Sequence, residues 1–161
     1  MDYVKFISLK LVRIILSCLR MLTRKVIARG MTVDRVGLEE LIYKKYGVRA
    51  DYPFEEDFTT GVFRHTDSGR WFAIAMNIPK GKLVKGAEGS VDVVNLKCSP
   101  EIIDSIAGCD SGIFRAYHMN KMHWLTVLLD GSCDDSELSW LLGISFKLTE
   151  STSRKRVDKK R

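Results

Sequence analysis

The chain has 161 residues, 45% hydrophobic and 29% charged, enough for one domain with appendages whose core needs neither disulfides nor a metal. Its formal net charge of +6 is uneven: residues 1–30 carry +6, residues 150–161 carry +4, and residues 31–149 carry −4. Basicity confined to the two ends argues against reading the overall charge as a nucleic-acid footprint of the central domain.

Residues 1–30 are apolar around most of a helical circumference. Lys10, Arg13, Ser17, Arg20 and Arg24 recur at steps of three and four and form one basic stripe. Arg13 and Arg20 interrupt every window long enough to span a bilayer, and no signal-peptide cleavage site stands out. Two readings stay open: a basic amphipathic helix suited to a membrane surface or an acidic partner, or a segment upstream of a true start at Met31.

Residues 31–149 read as one domain. Leu38, Leu41, Ile42 and Tyr46 fall on one face of a helix that Gly47 ends. Tyr52-Pro53-Phe54 then breaks the helical pattern, because Pro53 disfavours helical geometry at Tyr52. Strands are predicted at 61–65, 71–78 and 91–98, the second from alternation of Phe72, Ile74, Met76 and Ile78 with Trp71, Ala73, Ala75 and Asn77. If Phe72, Ile74 and Met76 face the helices, the opposite face presents Ala73, Ala75, Asn77, Val93, Asn95 and Lys97, a shallow surface open to close approach. The link over 79–90 carries Lys80, Lys82 and Lys85 between glycines and reads as a projecting hairpin loop. Ser99-Pro100-Glu101 opens a helix through Ile102, Ile103 and Ile106, with the serine as its cap. A strand pair is expected within 113–129, closed by Asp130-Gly131. Asp134 and Glu137 form a capping-box pattern before a last helix bearing Leu138, Leu141, Leu142 and Leu148. Residues 150–161 read as a disordered basic tail.

Catalytic signatures are scarce. There is no GxGxxG and no GxxxxGK followed by Ser or Thr. Ser111 lacks the flanking glycine of a nucleophile elbow. His118 and His123 lie five positions apart, which does not stack two ligands on one helix face. Glu55-Glu56 and Asp134-Asp135 sit in loop or cap contexts. The expectation is a protein that is not an enzyme and holds no metal or cofactor. Cys18, Cys98, Cys109 and Cys133 show no CxxC spacing and suit a reducing, cytoplasmic setting.

The densest polar–aromatic cluster is Arg115, Tyr117, His118, Met119, Asn120, Lys121, His123 and Trp124. With Tyr52-Pro53-Phe54, Val62-Phe63-Arg64-His65, Trp71-Phe72-Ala73, Asn95-Leu96-Lys97-Cys98, Pro100 and Leu129-Asp130-Gly131, it resembles the MmcQ/YjbR family over about residues 32–149. The resemblance implies an α+β fold, an antiparallel sheet with helices packed on one face, related to frataxin-like folds. It also implies the family's predicted DNA binding through a double-wing arrangement. The extension over 1–30 and Met122, where relatives often carry lysine, depart from that pattern.

The residues themselves allow two functions. In the first, a nucleic-acid-binding (DNA-binding) and regulatory role, Lys80, Lys82, Lys85, Lys97, Arg115 and Lys121 contact phosphates. Asn95, His118, Asn120 and His123 would then reach base edges, with Tyr117 and Trp124 stacking. In the second, the His118–Trp124 cluster holds a small ligand or an unknown protein partner. Two bland readings stand beside these: Trp124 as core, and His118 and Asn120 as satisfiers of local backbone groups.

Overall fold

A computed structural model of the chain describes residues 33–108 and 111–151. The expectations for residues 1–30 and for the tail beyond Ser151 lie outside the described residues.

Helix α1 (Arg35–Tyr46) starts where the Asp34 carboxylate accepts from Gly37 N–H at 2.8 Å. It stops at Gly47, whose φ of 68° suits a residue without Cβ and whose N–H bonds the Tyr43 carbonyl. Strands β1 (Gly61–Arg64), β2 (Trp71–Pro79) and β3 (Ser90–Lys97) follow, then helix α2 (Pro100–Ile106), β4 (Ile113–Arg115), β5 (Trp124–Leu128) and α3 (Asp135–Thr149). The sheet runs β1-β2-β3-β5-β4 with every neighbouring pair antiparallel, an α+β architecture. Asp134 caps α3 through Ser136 N–H. Ser99 stands at the predicted cap of α2 without making the cap bond. Its hydroxyl turns to Glu101 instead.

The helices cover one face. Leu38 and Ile42 of α1 and Leu138, Leu141 and Leu142 of α3 pack with Ala73, Ala75, Val94, Leu96, Leu125 and Val127. Ala73 and Ala75 are therefore core, and the predicted small-residue recognition face does not exist. The period of two is right and its sense is inverted, for a local reason. Phe63 pairs with Ala73 but Arg64 pairs with Trp71, so β2 carries one extra residue. That bulge lets Phe72 and Ala73 both enter the helix-side core and sends Trp71 and Ile74 to the other side. Where Phe72 and Lys97 leave the ladder, buried Ser145 of α3 bridges them, accepting from Lys97 N–H at 2.7 Å and donating to the Phe72 carbonyl at 2.5 Å.

The second face carries Ile78, Val91, Val93, Phe114 and Leu128, covered by Met76, Leu83, Val84 and Tyr117. The 79–90 link thus folds back onto the sheet instead of projecting. A short 3-10 turn over Lys80–Lys82 and a bond from Lys80 N–H to the Gly89 carbonyl close it. Loops, not helices, cover this second face.

Candidate functional site

The 116–123 loop is fixed from beneath by a ring of three hydrogen bonds. Buried Asn95 donates from Nδ2 to the Tyr117 carbonyl at 2.8 Å, Thr126 Oγ1 donates to Asn95 Oδ1 at 2.5 Å, and Tyr117 N–H donates to Thr126 Oγ1 at 2.9 Å. Asn95 and Thr126 are both fully buried. The predicted ligand or base contact at Asn95 is therefore corrected: its amide is spent on the loop backbone and cannot be reached. Asn120 likewise acts locally, its Oδ1 accepting from Met122 N–H and its carbonyl from the N–H groups of His123 and Trp124. The clamp holds His118 at φ 59°, a left-handed conformation uncommon for a residue with Cβ. His118 stays exposed, its ring 3.9 Å from that of Tyr117.

Past this loop the strand ends converge. Arg64 ends β1, Trp71 begins β2, Lys97 ends β3 and Trp124 begins β5, so four adjacent strands present cation, indole, cation and indole along one rim. Lys97 is the register partner of Trp124 and lies on the loop face two residues from Asn95. The bulge at Phe72 brings Trp71 to that same face, where Phe54 meets it edge-on at 6.4 Å. The Arg64 guanidinium lies 5.0 Å over the Trp71 ring. Trp71, Lys97 and Trp124 are each half-buried, which leaves part of each surface for a ligand. Trp124 is thus neither a sealed core residue nor a free one.

Charge along the rim is partly cancelled. Arg64 pairs with Asp51 at 3.0 Å and Arg115 with Asp104 at 2.5 Å. Among the described residues neither Lys97 nor Lys121 has a carboxylate within ion-pair distance. His123 is exposed close to Glu101. The Glu101 carboxyl sits below its usual range, first through its own backbone N–H, then through Ser99 and His123.

The structure does not bring the predicted cations into one patch. Lys80, Lys82 and Lys85 follow the far end of the nine-residue β2, roughly 26 Å from the rim at about 3.3 Å per residue. Lys80 is tied to Asp130 at 2.8 Å. Burial would raise the Asp130 carboxyl, but bonds from Lys80 and Ser132 hold it below its ordinary value. Lys82 and Lys85 are exposed.

Between the 54–60 loop and Tyr117-His118 lies a cleft of about 390 Å³ floored by Met76 and Ile78. Its outer wall is built by Asp57, whose Oδ1 accepts from Thr59 N–H and Oγ1 and whose Oδ2 accepts from Thr60 Oγ1. These bonds, the Thr59 hydroxyl first, bring the Asp57 carboxyl to about 2. Sequence reasoning missed this wall and the roles of Arg64 and Trp71, because neither the bulge nor the loop's return path leaves a periodic signal.

Ser111 does not sit as a nucleophile, since its hydroxyl donates to the carbonyls of Ile106 and Gly108. His65 is buried, bonded to Thr149 Oγ1 at 2.8 Å and packed against Phe72 and Phe146. Among the described residues no three His, Cys, Asp or Glu side chains come together in a way that would hold a metal ion, and no helix is long and apolar enough to cross a membrane.

Fold and site together define a small α+β domain with helices on one sheet face and a loop-covered face bearing an aromatic–cationic rim. The YjbR family model matches residues 43–148, and the chain belongs to that family. YyaQ of Bacillus subtilis is 36% identical over 109 residues, spanning 68% of this chain and 92% of its own length. YjbR of Escherichia coli K12 is 41% identical over 54 residues, 34% of this chain and 46% of its own. A crystal structure of a Pseudomonas syringae protein superposes with a TM-score of 0.69 at 40% identity, covering 73% of this chain and 99% of that one. A Deinococcus radiodurans crystal structure, with a TM-score of 0.56 at 22% identity over 78% of this chain and 84% of that one, shares the fold.

Proposed function

We propose that this protein binds nucleic acid, without catalysis, through the rim formed by Arg64, Trp71, Lys97 and Trp124, with Lys121 and His123 beside it. The observation that carries the reading is the alternation of cation and indole on four neighbouring strands about 4.8 Å apart. Bases stack on indole or guanidinium planes while ammonium groups neutralise phosphates, and neither interaction demands one sequence. Half-buried indoles offer an edge or one face, which suits unpaired bases better than the interior of a duplex.

The sparse free charge sets the strength. Two unpaired ammonium groups, Lys97 and Lys121, predict modest affinity. Each phosphate contact on a single strand contributes about −0.7 to the log–log salt slope. In fluorescence anisotropy of a labelled oligothymidylate with the full chain, replacing both lysines with alanine is expected to flatten the slope by about 1.4. An unchanged slope would assign the binding to other cations and refute the rim. The same substitution at Lys82 and Lys85 is expected to change the slope far less.

A further inference from the structure

The cleft beside Tyr117 adjoins the rim through Phe54, which lines it and also meets Trp71, but it extends along β2 to Pro79 and has different chemistry. We propose that it is a docking site for a short extended peptide bearing a large apolar side chain between basic ones, added as a strand to β2 beyond the end of β1.

Three observations converge. First, β2 outruns β1: Gly61 pairs with Ala75, whereas Met76 to Pro79 pair only with β3. Val62 exchanges both its backbone bonds with Asp51, at 2.7 and 2.9 Å. Gly61 and Phe63 therefore carry the bonds to β2, at Ala75 and Ala73, and the alternation turns the N–H and C=O of Asn77 toward the vacated line. Among the described residues no backbone group meets Asn77 on that side. An unpaired strand edge of this kind is a template for another extended chain.

Second, the cleft opens directly on that edge. Met76 and Ile78 form its floor, with Phe54 on one side and Tyr117 on the other. At about 390 Å³ it falls within the range of ligand sites. An extended peptide pairing with Asn77 would send alternate side chains onto this apolar floor.

Third, the lip is acidic. Glu55, Glu56 and Asp57 are consecutive and exposed, and none has an ion-pair partner among the described residues. Of the cations nearby, Arg35 bonds the Thr59 carbonyl and is paired with Glu39, Lys80 is taken by Asp130, and Asp92 accepts from the Asn77 side chain at 3.0 Å. This lip repels phosphate and favours Lys or Arg, so the occupant differs from the nucleic acid assigned to the rim.

The test uses the full chain and a labelled, end-blocked heptapeptide of alternating lysine and apolar residues, Lys-Val-Lys-Leu-Lys-Val-Lys, with a glutamate-for-lysine counterpart. Saturable binding of the basic peptide is expected, and none of the acidic one. N-methylation at alternate residues should weaken binding about 3- to 10-fold and at the intervening ones hardly at all, because only alternate N–H groups face the edge. Glu56→Lys, at an exposed loop position, should weaken the peptide and leave oligothymidylate binding intact, while Lys97→Ala should do the reverse. Three results would each overturn the proposal: no saturable binding at millimolar peptide, indifference to the methylation pattern, or indifference to Glu56→Lys.

Discussion

At the residue scale, two side chains decide whether the loop face keeps its shape. Asn95 closes a ring of three hydrogen bonds around the Tyr117 backbone. Replacing it with alanine strands a buried hydroxyl and a carbonyl, each costing about 1–3 kcal/mol when left unpaired. Asn95→Ala is therefore expected to destabilise the domain by about 2–4 kcal/mol in urea unfolding, and to release His118 from its left-handed conformation. Asp57 makes a pH-dependent contribution. Its folded-state carboxyl titrates near 2 against an ordinary 3.8, chiefly through Thr59 and Thr60. A depressed carboxylate stabilises the fold above its unfolded value and loses that contribution as pH falls through its folded value. Asp57→Asn should accordingly be less stable than the parent chain at neutral pH, with the gap closing between pH 4 and pH 2. A gap that stays constant across that window would show that the carboxylate charge has no part in holding the loop.

At the scale of elements, the junction between sheet and α3 positions the rim. The β2–β3 ladder ends at Ala73 and Leu96, and Ser145 bridges Phe72 and Lys97 just beyond it. Ser145→Ala leaves Lys97 N–H and the Phe72 carbonyl buried without that partner. A loss of about 2–4 kcal/mol follows, together with weakened oligonucleotide binding because Lys97 loses its anchor. Ser145→Thr, if its methyl is accommodated, should recover part of both. This junction also marks where the sequence stops being informative. One helix stop was legible from Gly47 and two helix starts from Pro100 and Asp134, since caps act within a turn of where they stand; the start at Asp34 was not read. The strands were legible from their period of two. Which face β2 buried was not, because one unsignalled bulge exchanges the faces for the rest of that strand. Asn95 was misread for a different reason: alternation placed it on the correct face, but the Tyr117 backbone that covers it there arrives from more than twenty positions away.

At the scale of the whole molecule, the described domain separates two chemistries along one sheet. The rim at the ends of β1 and β3 and the starts of β2 and β5 gathers aromatic and basic groups, and the second half of β2 carries an apolar cleft under an acidic lip. The +6 total conceals this separation, just as it conceals the −4 of residues 31–149. The family was legible because its motifs are local strings, whereas the rim joins residues from four strands and appears only once strand order and register are known. The most direct measurement of the rim is tryptophan emission during titration with oligothymidylate, made in a Trp140→Phe background, since Trp140 is exposed on α3. Stacking contributes about 1–3 kcal/mol per base, so Trp124→Leu should lower affinity about 5- to 150-fold and remove much of the quenching. Trp124→Phe should retain most of the affinity. Equal affinity and undiminished quenching in the leucine variant, with the fold intact by circular dichroism, would contradict the assignment of nucleic-acid binding to this rim.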